Sequence, residues 1–237
     1  MKSRILAIET SEEYCSVALF NGKNLIEQQI DNELRNHSQM LTVLINSILS
    51  KNDFSVSLID AVAISQGPGS YTGLRIGTSV AKGLCYAIGK PLIAVNTLEV
   101  LCYAALADVS VKKQLSDTCL LCPMIDARRM EVYMQLFDSS VRPFSEIEAK
   151  IIASETFNEL LKDRKMIFFG SGADKVEFMC KSPNAIFLKN IRPLARFMIE
   201  PAYVAYENQR FVDVAYFEPY YLKNFVTTRS SRSLLGN

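Results

Sequence analysis

The chain has 237 residues, 49% hydrophobic and 22% charged, enough apolar material for one large domain or two lobes of a soluble globular protein. Lys plus Arg total 26 against 25 for Asp plus Glu, which excludes the broad positive field by which a protein grips nucleic acid through its phosphates. No apolar run approaches the ~20 residues of a membrane span. Met1-Lys2-Ser3-Arg4 leads straight into Ile5-Leu6-Ala7-Ile8 rather than into a secretory signal, so the expected location is the cytoplasm, with no membrane partner.

In chain order, residues 5–10 predict a strand and residues 15–21 a second. The second closes at Asn21-Gly22, a hairpin signal, before a third strand over 25–30. A helix follows over 36–49, with Met40, Leu41, Leu44, Ile45, Ile48 and Leu49 at helical spacing on one face. Residues 61–65 predict a buried strand that turns through Gly67-Pro68-Gly69-Ser70 into a second helix over 73–88. Such a loop of exposed amides is a moderate signal for anion binding, set against a tight turn that simply needs glycine.

Apart from Arg75 and Lys82 the second helix carries no charge, and Leu74, Ile76, Val80, Leu84, Tyr86, Ala87 and Ile88 spread apolar atoms over most of its circumference. A helix apolar nearly all round is covered on more than one side. Gly73, Gly77 and Ala81 recur every fourth residue and form a ridge that a neighbouring helix can approach closely, which offsets the ~1 kcal/mol cost of each interior glycine. The cover comes either from the chain's own sheet and helices or from a partner. A strand over 92–95 completes a βββαβαβ first half.

The second half opens in the same way. Residues 124–126, a turn over 127–130 and an alternating strand over 131–137 echo the first hairpin and suggest two related lobes. A helix running from Ser154 and Thr156 through Leu161, a buried strand over 166–169 ending in Gly170-Ser171-Gly172-Ala173, and a late helix over 193–206 follow. Beyond Lys223 the chain is polar, with Arg229 and Arg232 unbalanced by acids, and is expected to fray. The domains expected are residues 1–105, residues 106–222 and a tail, 223–237.

Six cysteines lie mostly in apolar segments with no spacing that suggests a disulfide framework, so they are expected to be reduced core residues. Cys119 and Cys122 have CxxC spacing without a second pair or a nearby histidine, which disfavours zinc or redox chemistry. His37 is the sole histidine and stands at a helix start with no nucleophile in view, which suits a cap or an interface better than a base. Ser70 is not in a GxSxG elbow.

Residues 5–11, Asn36-His37-Ser38-Gln39-Met40-Leu41, the GPGSYTGLRIG run with Ala81-Lys82-Gly83-Leu84, residues 95–99, residues 126–133 and Pro219-Tyr220-Tyr221-Leu222 resemble the bacterial TsaB family, also called YeaZ. The resemblance covers almost the whole chain. It implies an α/β fold of the actin-like, sugar-kinase-like class, with two βββαβα lobes of which the second is degenerate. It also implies a part in making threonylcarbamoyladenosine beside the anticodon of tRNA, as a partner of the catalytic paralogue TsaD and the ATPase TsaE. The paralogue's HxxxH metal motif corresponds to Thr97 and Leu101 here, and neither replaces an imidazole.

Glu9 stands where relatives commonly carry aspartate, before the hairpin that forms the phosphate loop in ATPases of this fold. In this chain that hairpin, Ser11-Glu12-Glu13-Tyr14-Cys15, has no glycine and two added acids that repel a polyphosphate. Gly170 and Gly172 are weak candidates for a nucleotide loop. The expectation is therefore a noncatalytic subunit with no metal and no tightly bound cofactor, an ATP or ADP site shared with TsaD at most, and indirect contact with tRNA. The predicted partner surface is His37, Leu41, Leu44, Ile48, Leu74, Gly77, Val80, Ala81 and Leu84. It predicts a homodimer when TsaD is absent, and loss of TsaD binding without loss of fold in Gly77→Glu. Alternatives are a glycoprotease-like peptidase and an independent ATPase of the same fold.

Overall fold

The computed structural model describes residues 3–31, 33, 36–108, 111 and 114–222; the expectation for the tail lies outside them. Two five-stranded sheets organise these residues. The first holds β1 (Arg4–Glu9), β2 (Cys15–Asn21), β3 (Asn24–Asp31), β4 (Ala61–Gly67) and β5 (Leu92–Asn96) in the order β3-β2-β1-β4-β5. The second holds β6 (Leu120–Asp126), β7 (Glu131–Met134), β8 (Glu148–Ile151), β9 (Met166–Phe169) and β10 (Ala185–Phe187) in the order β10-β9-β6-β7-β8. The duplication is complete at the level of pairing. In each sheet the first strand is antiparallel to the second and parallel to the fourth, the second is antiparallel to the third, and the fourth is parallel to the fifth.

Strand alternation sends odd and even residues to opposite faces. In the first sheet Leu6, Ile8, Val17, Leu19, Val62 and Ile64 meet α1 (His37–Lys51) and α2 (Tyr71–Ile88), which also pack against each other. Ile5, Ala7, Ala18, Phe20, Ala61 and Ala63 face the other way. There they meet Ala195 and Met198 of a 3₁₀ turn (Ala195–Met198), together with Ala202 and Ala205 of the helix that continues it. In the second sheet Leu120, Cys122, Met124 and Phe168 pack on Leu161 of α4 (Asn158–Asp163) and on Ala173 and Val176 of α5 (Ala173–Met179).

The last helices of the two halves are exchanged. The first half ends in α3 (Thr97–Leu106), whose Leu98, Leu101, Cys102 and Ala105 join the core under the second sheet. The second half ends in α6 (Ile199–Glu207), which packs on the first sheet. These two helices, with the loop contacts at the junction, tie the sheets together.

The end of α2 follows from its sequence. Ser70 caps its N-terminus by accepting from the Gly73 amide, and Gly89 ends it in the left-handed conformation (φ 62°) that suits glycine. No helix among the described residues is long and apolar enough to cross a membrane.

Candidate functional site: the outer helix pair and the junction of the sheets

Most of the predicted partner residues turn inward. Leu41, Ile48, Leu74 and Ala81 are at most 1% exposed, and His37 and Leu44 are also buried, all in the chain's own core. Gly77 is closed off too: a Cβ built there lies 2.2 Å from Thr10 Oγ1 and 3.0 Å from Ile64 Cδ1. At Gly73 it lies 2.1 Å from the Thr10 carbonyl oxygen. The glycine ridge therefore seats α2 on the end of β1. Gly77→Glu would break that seat, so the expectation that it spares the fold is corrected. Of the nine positions only Val80 and Leu84 keep partial exposure, on the flank of α2 that packs beside the core with Ile76 and Ile88.

The surface the pair does present lies on its outer face. From Ser38 to Ser50 and from Thr72 to Ala87 the exposed positions include a single charge, Arg75, which donates to the Tyr71 hydroxyl at 2.9 Å and lies over its ring. The rest are small or uncharged, among them Thr42, Asn46, Ser79, Gly83 and Ala87, with Val43 and Tyr86 as exposed large side chains. Lys82 is occupied within the chain, donating to the Ala215 and Phe217 carbonyls at 3.0 Å each.

At the junction of the sheets the hairpin loops are bonded to one another. The Ser171 hydroxyl donates to the Glu12 carboxylate and accepts from the Asp126 amide at 3.0 Å. The Arg192 guanidinium lies 4.3 Å over the Tyr14 ring, and Asn96 donates to Gln135 at 2.8 Å. Burial pushes Glu12 up to about 7, opposed by its Ser171 hydrogen bond and reinforced by the charges of Glu9 and Glu13. Glu9 is completely buried, which raises its pKa. One of its oxygens accepts from the Ser11 amide at 2.7 Å, and the other has no partner among the described residues.

The glycine loops serve the same junction. The Ser70 amide donates to the Ser11 carbonyl at 2.6 Å, and a Cβ on Gly69 would lie 2.3 Å from that same oxygen. Gly170 and Gly172, the nucleotide-loop candidates, present their bare sides to Met124 and Val132 of the same chain. Thr97 and Leu101 are fully buried at the start of α3. Among the described residues no cluster of three His, Cys, Asp or Glu side chains could hold a metal. Cys119 and Cys122 are buried in the cores on opposite faces of the second sheet, so they do not form a dithiol.

Two features escape sequence reasoning. Tyr71, Tyr133, Tyr220 and Tyr221 gather around Pro68 and Gly69 at a cavity of about 40 Å³, and Tyr71 and Tyr221 have ring centroids 4.9 Å apart. The Pro219-Tyr220-Tyr221 run was visible, but not its packing against the glycine loop. A larger cavity of about 200 Å³ opens between β5, α3 and α6, lined in part by Glu99, Tyr103 and Arg210. Its only sequence signal was Glu99 three residues after Asn96, which reads as a helix start.

Two sheets of matching strand order with exchanged terminal helices define a protein of the actin-like, sugar-kinase-like class. Within it, the family model of TsaD, tRNA N6-adenosine threonylcarbamoyltransferase, matches residues 24–161. The chain is 31% identical over 236 residues to the tRNA threonylcarbamoyladenosine biosynthesis protein TsaB of Haemophilus influenzae, covering 94% of both chains. It is 30% identical to that of Escherichia coli, covering 94% of this chain and 96% of the other. Among solved structures, YeaZ from Pseudomonas aeruginosa superposes with a TM-score of 0.78 at 27% identity, over 93% of this chain and 100% of the other. The chain belongs to the TsaB family. A tRNA N6-adenosine threonylcarbamoyltransferase of Clostridium botulinum is 32% identical over 111 residues, which cover 40% of this chain and 33% of that protein.

Proposed function

We propose that the chain is a noncatalytic subunit in the synthesis of threonylcarbamoyladenosine in tRNA, docking on TsaD through the outer face of α1 and α2, with TsaE joining the assembly. The observation that carries this reading is the bareness of that face. A solvated helix surface normally carries about 25–35% charged residues, whereas from Ser38 to Ser50 and from Thr72 to Ala87 the two adjacent helices expose one charge, Arg75, among small side chains with Val43 and Tyr86, and Lys51 at the very end of α1 is the other exposed cation. Depletion of charge with retained aromatic and aliphatic anchors is the composition of an interface core. TsaD-type proteins share a stretch of this fold with the chain, so a related helix pair is available on the partner to pack against it.

Residue chemistry supports a noncatalytic role. The positions that the family resemblance equates with the paralogue's two histidines are a threonine and a leucine inside the core, and His37 is the sole histidine. The junction loops carry Glu12 and Glu13 where a polyphosphate needs positive partners.

The test pairs reconstitution with surface variants. Threonylcarbamoyl transfer to tRNA by TsaD and TsaE is expected to require this chain, and TsaD binding is expected to be lost in Val43→Glu/Ala87→Glu. Both sites are exposed, so stability should stay within about 0.5 kcal/mol. Transfer that proceeds fully without the chain, or a double variant that binds TsaD like the original, would overturn the reading.

A further inference from the structure

The cavity between β5, α3 and α6 has walls of unlike chemistry. Ala94, Pro201 and Val204 supply apolar surface, and three polar side chains line the rest: Glu99 and Tyr103 from α3, and Arg210 just past α6. At about 200 Å³ it far exceeds the ~10–15 Å³ that admits one water. It falls below the ~300 Å³ at which drug-sized sites begin. It is a space for a small molecule.

Glu99 is the informative residue. It occupies the third helical position after the N-cap Asn96, whose side chain accepts from the Leu98 amide at 2.9 Å. A glutamate there ordinarily reaches back to the N-cap amide and closes a capping box. Glu99 makes no such bond. It has no hydrogen-bond or ion-pair partner among the described residues, and neither does the Arg210 guanidinium or the Tyr103 hydroxyl. The carboxylate and the guanidinium sense each other electrostatically without closing into an ion pair.

Burial pushes Glu99 up to about 7, with Arg210 pulling the other way, so the carboxyl gains strongly from any cation that enters. Burial pushes the Tyr103 phenol up to about 12, which keeps its O–H as a donor at neutral pH. Arg210 is exposed, while Glu99 and Tyr103 are half-buried. The site thus pairs a half-buried acid with an exposed cation.

The geometry points to a binding site for a small zwitterion of amino-acid size, its ammonium group on Glu99 and its carboxylate on Arg210, with its carbon skeleton against Ala94, Pro201 and Val204. Two charges of opposite sign lining one cavity select a molecule that carries both. An amine alone would leave the guanidinium unsatisfied, and a carboxylate alone would leave the half-buried acid without a partner. The cavity lies on the face of the first sheet opposite α1 and α2, so the proposal does not rest on the docking surface.

The full-length chain tests it by calorimetry at millimolar concentration with L-alanine and 4-aminobutyrate as zwitterions of two charge separations, and propylamine and butyrate as half-ligands. The expected result is saturable binding of at least one zwitterion, about tenfold or more tighter than either half-ligand. Glu99→Gln and Arg210→Gln should each weaken it by a similar factor while leaving the thermal midpoint close to that of the original chain. Failure of both zwitterions to bind, half-ligands that bind as well as they do, or variants that bind unchanged would each overturn it.

Discussion

Helix α2 contains glycines that should respond to the same substitution with opposite sign. Gly83 lies in its interior on the exposed side, and a Cβ built there meets no atom within 4 Å. Gly83→Ala should therefore gain the full helix-propensity difference, about 1 kcal/mol. For a chain of this size that raises Tm by roughly 2–4 °C. Gly73→Ala has the same propensity gain available, but its Cβ falls 2.1 Å from the Thr10 carbonyl oxygen. That atom is backbone at the end of β1 and cannot turn away, so the helix must lift off the sheet. Overpacking of this kind costs about 1–3 kcal/mol, and a backbone clash belongs at the upper end, leaving a net loss of about 2 kcal/mol. Urea denaturation read by circular dichroism measures both midpoints, with unchanged slope taken as the sign that only stability moved. If both variants shift the midpoint in the same direction, the seating of α2 on Thr10 is wrong.

Two further outcomes are expected. Glu12 titrates at about 7 in the folded chain against an ordinary 4.5, so between those values the folded state holds a proton that the unfolded state has released. Its contribution makes stability fall as pH rises through that window and level off above it. Glu12→Gln should flatten the decline in urea midpoint between pH 5 and 7, and an unchanged profile would refute the buried, bridging position of that carboxyl. Five of the six cysteines are buried and Cys180 is only partly covered. A thiol reagent should therefore label one site in the folded chain, and Cys180→Ser should remove it; labelling that persists at equal stoichiometry would contradict the core assignments.

The first lobe was legible because its signals were local. Asn21-Gly22 marked the β2–β3 hairpin, and the apolar spacing of α1 and the buried run of β4 placed those elements within two residues of their observed limits. The second lobe was harder to read for physical reasons. β8 and β10 are short, and every residue of β10 is only partly buried, so neither shows clean alternation. α5 has seven residues, too few to establish a helical period. α3 was missed because it is apolar on nearly every side. It lies between two cores, and Val100 faces one while Leu98 and Leu101 face the other. The exchange of α3 and α6 between the sheets is invisible to any local pattern.

The predicted partner residues show where periodicity stops informing. Spacing identified which residues of α1 and α2 cluster, but a cluster of apolar residues looks the same whether its own sheet or another protein covers it. The backbone of β1 decides the matter here. Gly73 and Gly77 are bare so that Thr10 can sit against the helix, and Gly69 is bare so that Ser11 can accept the Ser70 amide. The same contacts bear on the anion loop: the Ser70 amide is taken by the Ser11 carbonyl and the Gly73 amide by the Ser70 hydroxyl, so the start of α2 offers fewer donors to a phosphate than its glycines suggest. What the sequence did carry about the outer face was a deficit. Between His37 and Ser50, and again between Tyr71 and Ile88, there is no acidic residue at all. A pair of surface helices that forgoes the favourable i, i+4 acid–base pairs open to them has the composition expected of a contact surface, and that deficit supports the proposed docking face better than any list of large apolar residues.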